Sequence, residues 1–135
     1  MGNRFEEDIL GHIGTQKYKC TIVWRNGKLI MDEPESIGGG NLGPDPFSTL
    51  LASLAGCTLS TLRMYIDRKG WDIPQIDVAL NMEQKSDSET TTIISRRISF
   101  PEVVSAEQKE RLLTIAEKCP ISKLLKGNTI INTTL

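Results

Sequence analysis

Between Asp45 and Arg63 the chain carries no charged side chain, and this run constrains the fold more than any other feature. Asp45-Pro46 is a strong helix start, an Asx cap followed by proline at the first helical position. Gly70 is the natural stop. Over the helix between them, apolar or small residues fall on nearly every face: Leu50, Leu51, Ala52, Leu54, Ala55, Gly56, Leu59 and Leu62. A helix that is hydrophobic all round is expected to be a long, buried, central one. It is not expected to span a membrane, because a span wants about 20 predominantly apolar residues. Ser48, Thr49, Ser53, Thr58, Ser60 and Thr61 interrupt this one.

The remaining elements must cover that helix. Lys17 to Trp24 alternates, with Tyr18, Cys20, Ile22 and Trp24 on one face, so a half-buried strand is expected there. Asn26-Gly27 is a hairpin signal and Lys28 to Met31 the returning strand. Asp32 to Asp45, with its prolines and glycines, reads as a loop. Ile76, Val78, Leu80 and Met82 mark a third strand. A polar turn follows over Lys85 to Glu89, and Thr90 to Phe100 is a β-branched fourth strand. Ser105 and Gln108 form a capping box that opens a second helix through Leu112, Leu113, Ile115 and Ala116. Pro120 breaks that helix and can start a short further one, which leaves Cys119 at its N-cap. Thr129 to Leu135 reads as a last strand. The expected order is ββ-α-ββ-α-β, an α+β class, in a single domain covering residues 1–135.

Sixteen Lys and Arg stand against seventeen Asp and Glu, a formal net charge of -1 that argues against nucleic-acid binding. Three cysteines, Cys20, Cys57 and Cys119, follow a start (Met1 to Glu7) without an apolar stretch, so free thiols in a reducing cytoplasm are expected. The cysteines lack zinc spacing, and His12 is the only histidine, so neither a metal site nor His-based acid–base chemistry is expected. Gly38 to Gly43 spells G-x-G-x-x-G but follows an acidic, proline-containing loop rather than a strand, which argues against a nucleotide site. Arg96 and Arg97 are most simply solvated or paired charges.

Cys20 shares an apolar strand face and reads as a small hydrophobe. Cys57 lies mid-helix, where the helix dipole gives no help, so it is either a core residue or a thiol that needs a neighbouring cation such as Arg63 or Arg25. Cys119 precedes Pro120, and the free N–H groups of a new helical turn would favour its thiolate; the plainer alternative is a residue that merely packs. A second thiol within reach turns a sulfenic acid into a disulfide and spares it from over-oxidation, so Cys57 and Cys119 gain meaning as a pair.

Three segments carry a family resemblance: Gly43-Pro44-Asp45-Pro46; Leu50 to Thr58 with Thr61-Leu62-Arg63-Met64-Tyr65 and Arg68-Lys69-Gly70; and Ala116-Glu117-Lys118-Cys119-Pro120-Ile121-Ser122-Lys123. In this order and separation they resemble the OsmC/Ohr family over roughly residues 16–135. The resemblance implies an OsmC-like α+β fold, an intertwined homodimer with active sites at its interface, and thiol-dependent reduction of organic hydroperoxides without a cofactor. Cys57 would be the peroxidatic residue, Cys119 the resolving one, and an external dithiol the reductant. Peroxidase members carry a Glu at the start of the central helix and an Arg that activate the first thiol. Phe47, Ser48 and Thr49 occupy that start here, and Arg25 of the Arg-Asn-Gly turn is the matching arginine. Phe47, Leu54 and Met64 are expected to line the surroundings of Cys57 and to favour alkyl or lipid hydroperoxides. The missing Glu raises the alternative of a weakly catalytic or non-catalytic member that binds a small apolar ligand.

Overall fold

A computed structural model describes residues 2–86 and 91–135 and divides the chain into two compact units, residues 1–50 and 51–135. The first unit is a three-stranded antiparallel sheet in the order β1 (Leu10–Ile13), β2 (Cys20–Trp24), β3 (Gly27–Met31). β1 is an addition to the expected set. Its four residues, Leu-Gly-His-Ile, are all exposed and carry no alternation, so only pairing with β2 makes them a strand. β2 begins at Cys20 rather than Lys17, because Lys17 and Tyr18 lie in a turn. Cys20 is half-buried, its thiol near the Tyr18 carbonyl at 3.6 Å. Trp24 pairs with Gly27, so the hairpin turn is Arg25-Asn26, one residue earlier than expected, and Gly27 already belongs to β3.

The loop after β3 is built on one buried carboxylate. Asp32 is 2% exposed and accepts four backbone N–H groups: Glu33 (2.8 Å) and Tyr18 (3.0 Å) on Oδ1, Gly40 (3.2 Å) and Leu42 (3.3 Å) on Oδ2. Wrapping the chain this tightly explains the glycines. A Cβ on Gly39 would meet the Glu33 carbonyl oxygen, and one on Gly43 that of Ile30. The G-x-G-x-x-G spacing therefore serves a turn whose anion is the protein's own. Burial pushes the Asp32 carboxyl up, but its four N–H donors more than offset this and hold it below its ordinary value. A carboxylate lowered on folding stabilises above its unfolded pKa, and that contribution disappears as the pH falls through the folded value. Asp32→Asn is thus expected to melt several degrees lower at neutral pH. The gap to the parent should narrow in acid, as thermal denaturation at about pH 7 and about pH 3 would record.

α1 (Pro46–Lys69) starts in the first unit and passes into the second. Asp45 caps it by accepting from the Ser48 N–H (3.3 Å) and the Ser48 hydroxyl. The expected burial on all sides does not occur. Only Leu54, Thr58, Leu62, Tyr65 and Ile66 are buried, a single stripe at helical spacing. Leu50, Phe47 and Met64 stand exposed, Met64 at 70%, because only one face of the helix meets the rest of its own chain. By length and composition α1 could also cross a bilayer, although its buried stripe packs as a core helix does.

In the second unit β4 (Asp77–Lys85) and β5 (Thr91–Ser99) form a nine-residue antiparallel ladder from Asp77–Ser99 to Lys85–Thr91. Residues 87–90, on which the expected turn and the start of the fourth strand fall, lie outside the described residues. α2 (Ala106–Ala116) opens with the expected capping box between Ser105 and Gln108, and α3 (Pro120–Lys126) restarts at the proline. Leu62, Tyr65 and Ile66 of α1 pack with Ile73, Val104, Leu112, Ile115 and Ala116 into the core of this unit. Arg111 Nε donates to the Tyr65 hydroxyl at 2.8 Å, so the one polar atom of that buried ring is satisfied. The expected last strand is a correction. Residues 128–135 pair with no strand among the described residues, and Ile130 and Ile131 are 83% and 84% exposed. A strand exists only where a neighbour takes up its hydrogen bonds, and β-branched sequence alone does not supply one.

Candidate active site

Three elements of the second unit bring the two thiols together. α1 carries Cys57, Thr58 and Thr61, with positions 57 and 61 one turn apart on the same side. α2 ends at Ala116, and the chain passes through Glu117 and Lys118 to Cys119. Cys119 is extended (φ -55°, ψ 125°) and caps α3, with Pro120 at the first helical position as the sequence suggests. Both thiols are free, and each perturbs the ionisation of the other. They differ in access: Cys57 is half-buried, whereas Cys119 is 0% exposed.

Their electrostatics differ as well. Burial pushes the Cys57 thiol up, and the neighbouring Cys119 pushes it further; the Ile121 N–H and the Thr61 hydroxyl only partly counter this. Burial also works against a Cys119 thiolate. A hydrogen bond from Cys57, the N–H groups of Ser122 and Ile121, and the Thr58 hydroxyl together outweigh it and bring Cys119 below its ordinary value. Those two N–H groups favour the anion without closing a formal cap hydrogen bond. The surroundings thus make the sealed thiol, Cys119, the more acidic of the two and the accessible one the less acidic.

Behind the thiols lies a charge cluster. Arg96 Nη1 donates to Thr58 Oγ1 at 2.9 Å, and its Nη2 donates to Glu117 Oε1 at 3.5 Å. Glu117 also accepts from Lys126; first Lys126 and then Arg96 hold its carboxyl below the ordinary range. Of the two expected states, solvated or paired, Arg96 takes the paired one, its side chain only 12% exposed, while Arg97 is exposed. The signal was present in β5, where Ile94, Arg96 and Ile98 share one strand phase and Ser95, Arg97 and Ser99 the other. An arginine on the isoleucine face of a strand points inward and needs buried partners. Thr58 and Glu117 were likewise missed as site residues, although both flank the cysteines.

A cleft of about 740 Å3 shares Arg96, Glu117 and Lys126 with this cluster, and Leu54, Ile94, Ile98, Phe100 and Leu112 supply its apolar wall; the residues that line it include neither cysteine. Of the three residues expected to line the surroundings of Cys57, Leu54 is on that wall. Met64 is 70% exposed, and Phe47 is exposed in the first unit. Arg25 is exposed in the β2–β3 turn, in a different compact unit from the two thiols. Among the described residues, no group of three or more His, Cys, Asp or Glu side chains is placed to hold a metal ion.

Solved structures share this fold at low identity. An OsmC-like protein from Mycoplasma pneumoniae superposes with a TM-score of 0.70 at 19% identity, over 93% of this chain and 90% of that one. An organic hydroperoxide resistance protein OsmC from Legionella pneumophila gives 0.68 at 17%, over 93% of each chain. The organic hydroperoxide resistance protein OhrB of Bacillus subtilis gives 0.66 at 18%, again over 93% of each. No curated protein matches the sequence. The model of the OsmC-like protein family matches residues 38–134, which include Cys57 and Cys119, and the chain belongs to that family.

Proposed function

We propose that the protein is a thiol-dependent peroxidase that reduces organic hydroperoxides, alkyl or lipid, with Cys57 attacking and Cys119 resolving. The observation that carries this reading is the asymmetry of the pair: a half-buried thiol coupled to a sealed one whose pKa is held below its ordinary value. The Cys119 thiolate takes the Cys57 proton as Cys57 attacks the distal peroxide oxygen. The O–O bond breaks, Cys57 becomes a sulfenic acid, and the leaving alkoxide takes up the proton and departs as an alcohol. Cys119, again a thiolate, then attacks the Cys57 sulfur and expels hydroxide, leaving a disulfide. Two electrons pass from the thiols to the peroxide, and an external dithiol returns them by exchange.

The organic hydroperoxide resistance proteins among the structural neighbours support this reading at the level of the family. Arg25 is proposed as the cation that assists Cys57, in line with the family's arginine; Arg25→Ala should then slow peroxide consumption. A homodimer in the cytoplasm is also proposed. The exposed apolar face of α1 and the unpaired apolar tail at Ile130 and Ile131 support a second copy as the missing neighbour.

A second reading has its own observation. Burial pushes the Cys57 thiol up, and the first turn of α1 holds no acidic residue, Asp45 before it being occupied as the cap, so the site could bind a small apolar ligand in the neighbouring cleft with slow chemistry or none. Intact mass after one equivalent of an organic hydroperoxide separates the two. The peroxidase should lose two hydrogens within seconds, through a Cys57–Cys119 disulfide. Slow oxygen addition or an unchanged mass would favour the binding module instead.

A further inference from the structure

A second cleft in the same unit, of about 710 Å3, opens over Tyr65 and Lys69 of α1, Trp71 just beyond it, and Glu107, Glu110 and Arg111 of α2. It shares no lining residue with the cleft at Arg96 and includes neither thiol. The Tyr65 residue is only 5% exposed, yet three cations gather on its ring. The guanidinium carbons of Arg68 and Arg111 lie 5.4 and 5.7 Å from the ring centroid, and Lys69 Nζ lies at 5.8 Å. An aromatic ring attracts a cation, but three cations this close also repel one another. Arg68 and Lys69 have a separate reason to be there, since they occupy the last turn of α1, at the negative end of its dipole. Arg111 has no such reason. Glu107 stands four residues before it on α2, the favourable order for an ion pair along a helix. That pair does not form, and among the described residues no carboxylate pairs with Arg68, Lys69 or Arg111. Arg111 instead donates its Nε to the Tyr65 hydroxyl at 2.8 Å. The hydroxyl is thereby satisfied as an acceptor, while its own proton meets no acceptor among the described residues.

We propose that this cleft binds a small monocarboxylate with an apolar body, the carboxylate held by Arg111, Lys69 and the Tyr65 hydroxyl and the body lying against Trp71. The lining sets the chemistry. The hydroxyl has a proton to give, Arg111 keeps both Nη groups for a second partner, and Lys69 adds a point charge, so the three together suit an oxyanion. An anion set among the cations also relieves their mutual repulsion. Its charge is limited by Glu107 and Glu110, which line the same cleft. Set against Arg68, Lys69 and Arg111, they leave one positive charge over, which suits one negative charge and opposes a polyanion. Trp71 is half-buried and stands edge-on to Tyr65, with ring centroids 5.6 Å apart, and it supplies an apolar wall. The site is separate from the thiols, and the inference goes beyond the peroxidase reading without resting on it.

The test titrates 3-phenylpropanoate into the protein and reads Trp71 fluorescence, in a Trp24→Phe background that leaves Trp71 the only tryptophan. A saturable change is expected. The uncharged isostere 3-phenylpropan-1-ol and inorganic tripolyphosphate should each bind at least about tenfold more weakly. Tyr65→Phe keeps the ring and removes the hydroxyl. That change and Lys69→Gln should each weaken 3-phenylpropanoate about tenfold, the ordinary worth of one hydrogen bond to a charged group. Arg111→Gln should weaken it further, and the other two variants carry the test even where this one fails to fold. No saturable change in the folded protein overturns the proposal. So does equal binding of the alcohol, which would mean an apolar patch only. Binding that survives both Tyr65→Phe and Lys69→Gln unchanged would place the probe elsewhere and overturn it too. Tripolyphosphate binding more tightly than 3-phenylpropanoate would overturn the ligand class. Peroxide turnover enters none of these readings, so the peroxidase assignment stands or falls apart from them.

Discussion

Cys57→Ser is expected to abolish peroxide-dependent consumption of a dithiol, by about a thousandfold or more, as when any nucleophile that forms a covalent intermediate is removed. The serine hydroxyl keeps the volume but cannot form a sulfenic acid. Cys119, 0% exposed, cannot substitute for it as the attacking group. Cys119→Ser should fail differently. Cys57 would still be oxidised, more slowly for want of its neighbouring base, and would then gain a second oxygen instead of closing a disulfide. Turnover followed by a coupled dithiol assay, with intact mass at the end point, distinguishes the two. Residual turnover in Cys57→Ser, or closure of a Cys57-containing disulfide in Cys119→Ser within one chain, would contradict the assignment.

The second large effect concerns the fold. Leu62 is 0% exposed and sits where α1 meets Leu112 and Ala116 of α2, so Leu62→Ala should cost about 2–5 kcal/mol in urea denaturation. Met64, two residues on, is its control, being 70% exposed. If α1 works alone, Met64→Ala should change stability by no more than about 0.5 kcal/mol. If a second copy covers that face, the loss should be larger and should shrink as protein concentration rises, since a dimer's stability depends on concentration.

Local chemistry made much of this architecture readable. The Asp45 cap, the Ser105–Gln108 box and the Cys119-Pro120 restart are each decided within four residues, and each occurs as expected. What the sequence could not supply were features settled by partners distant along the chain. β1 has no pattern of its own and exists because β2 offers its edge. Residues 128–135 have the pattern and no edge. The all-round apolar surface of α1 was legible, but how much of it one chain can cover was not. At the site, the cysteines stood out by residue type, whereas Arg96 was passed over because a doublet of arginines was weighed by charge instead of by strand phase. Glu117, which resembles any surface carboxylate in sequence, acquires its role only when β5 and α3 bring Arg96 and Lys126 to it.

The arginine doublet has one more implication. Arg96 and Arg97 are consecutive on β5, so one faces Thr58 while the other is exposed. A frame-shift of one residue in the β4–β5 ladder would carry Arg97 inward and still present a guanidinium, so the arginines themselves cannot tell the two frames apart. Ile94 and Ile98 can, because the same slip would expel both from the apolar wall and put serines in their places. The placement of Arg96 beside Thr58 is therefore guarded by the two aliphatic side chains that flank it on the same strand face. Polar substitutions at 94 or 98 would act as errors of reading frame, loosening the register that seats Arg96 without altering any group that Arg96 contacts.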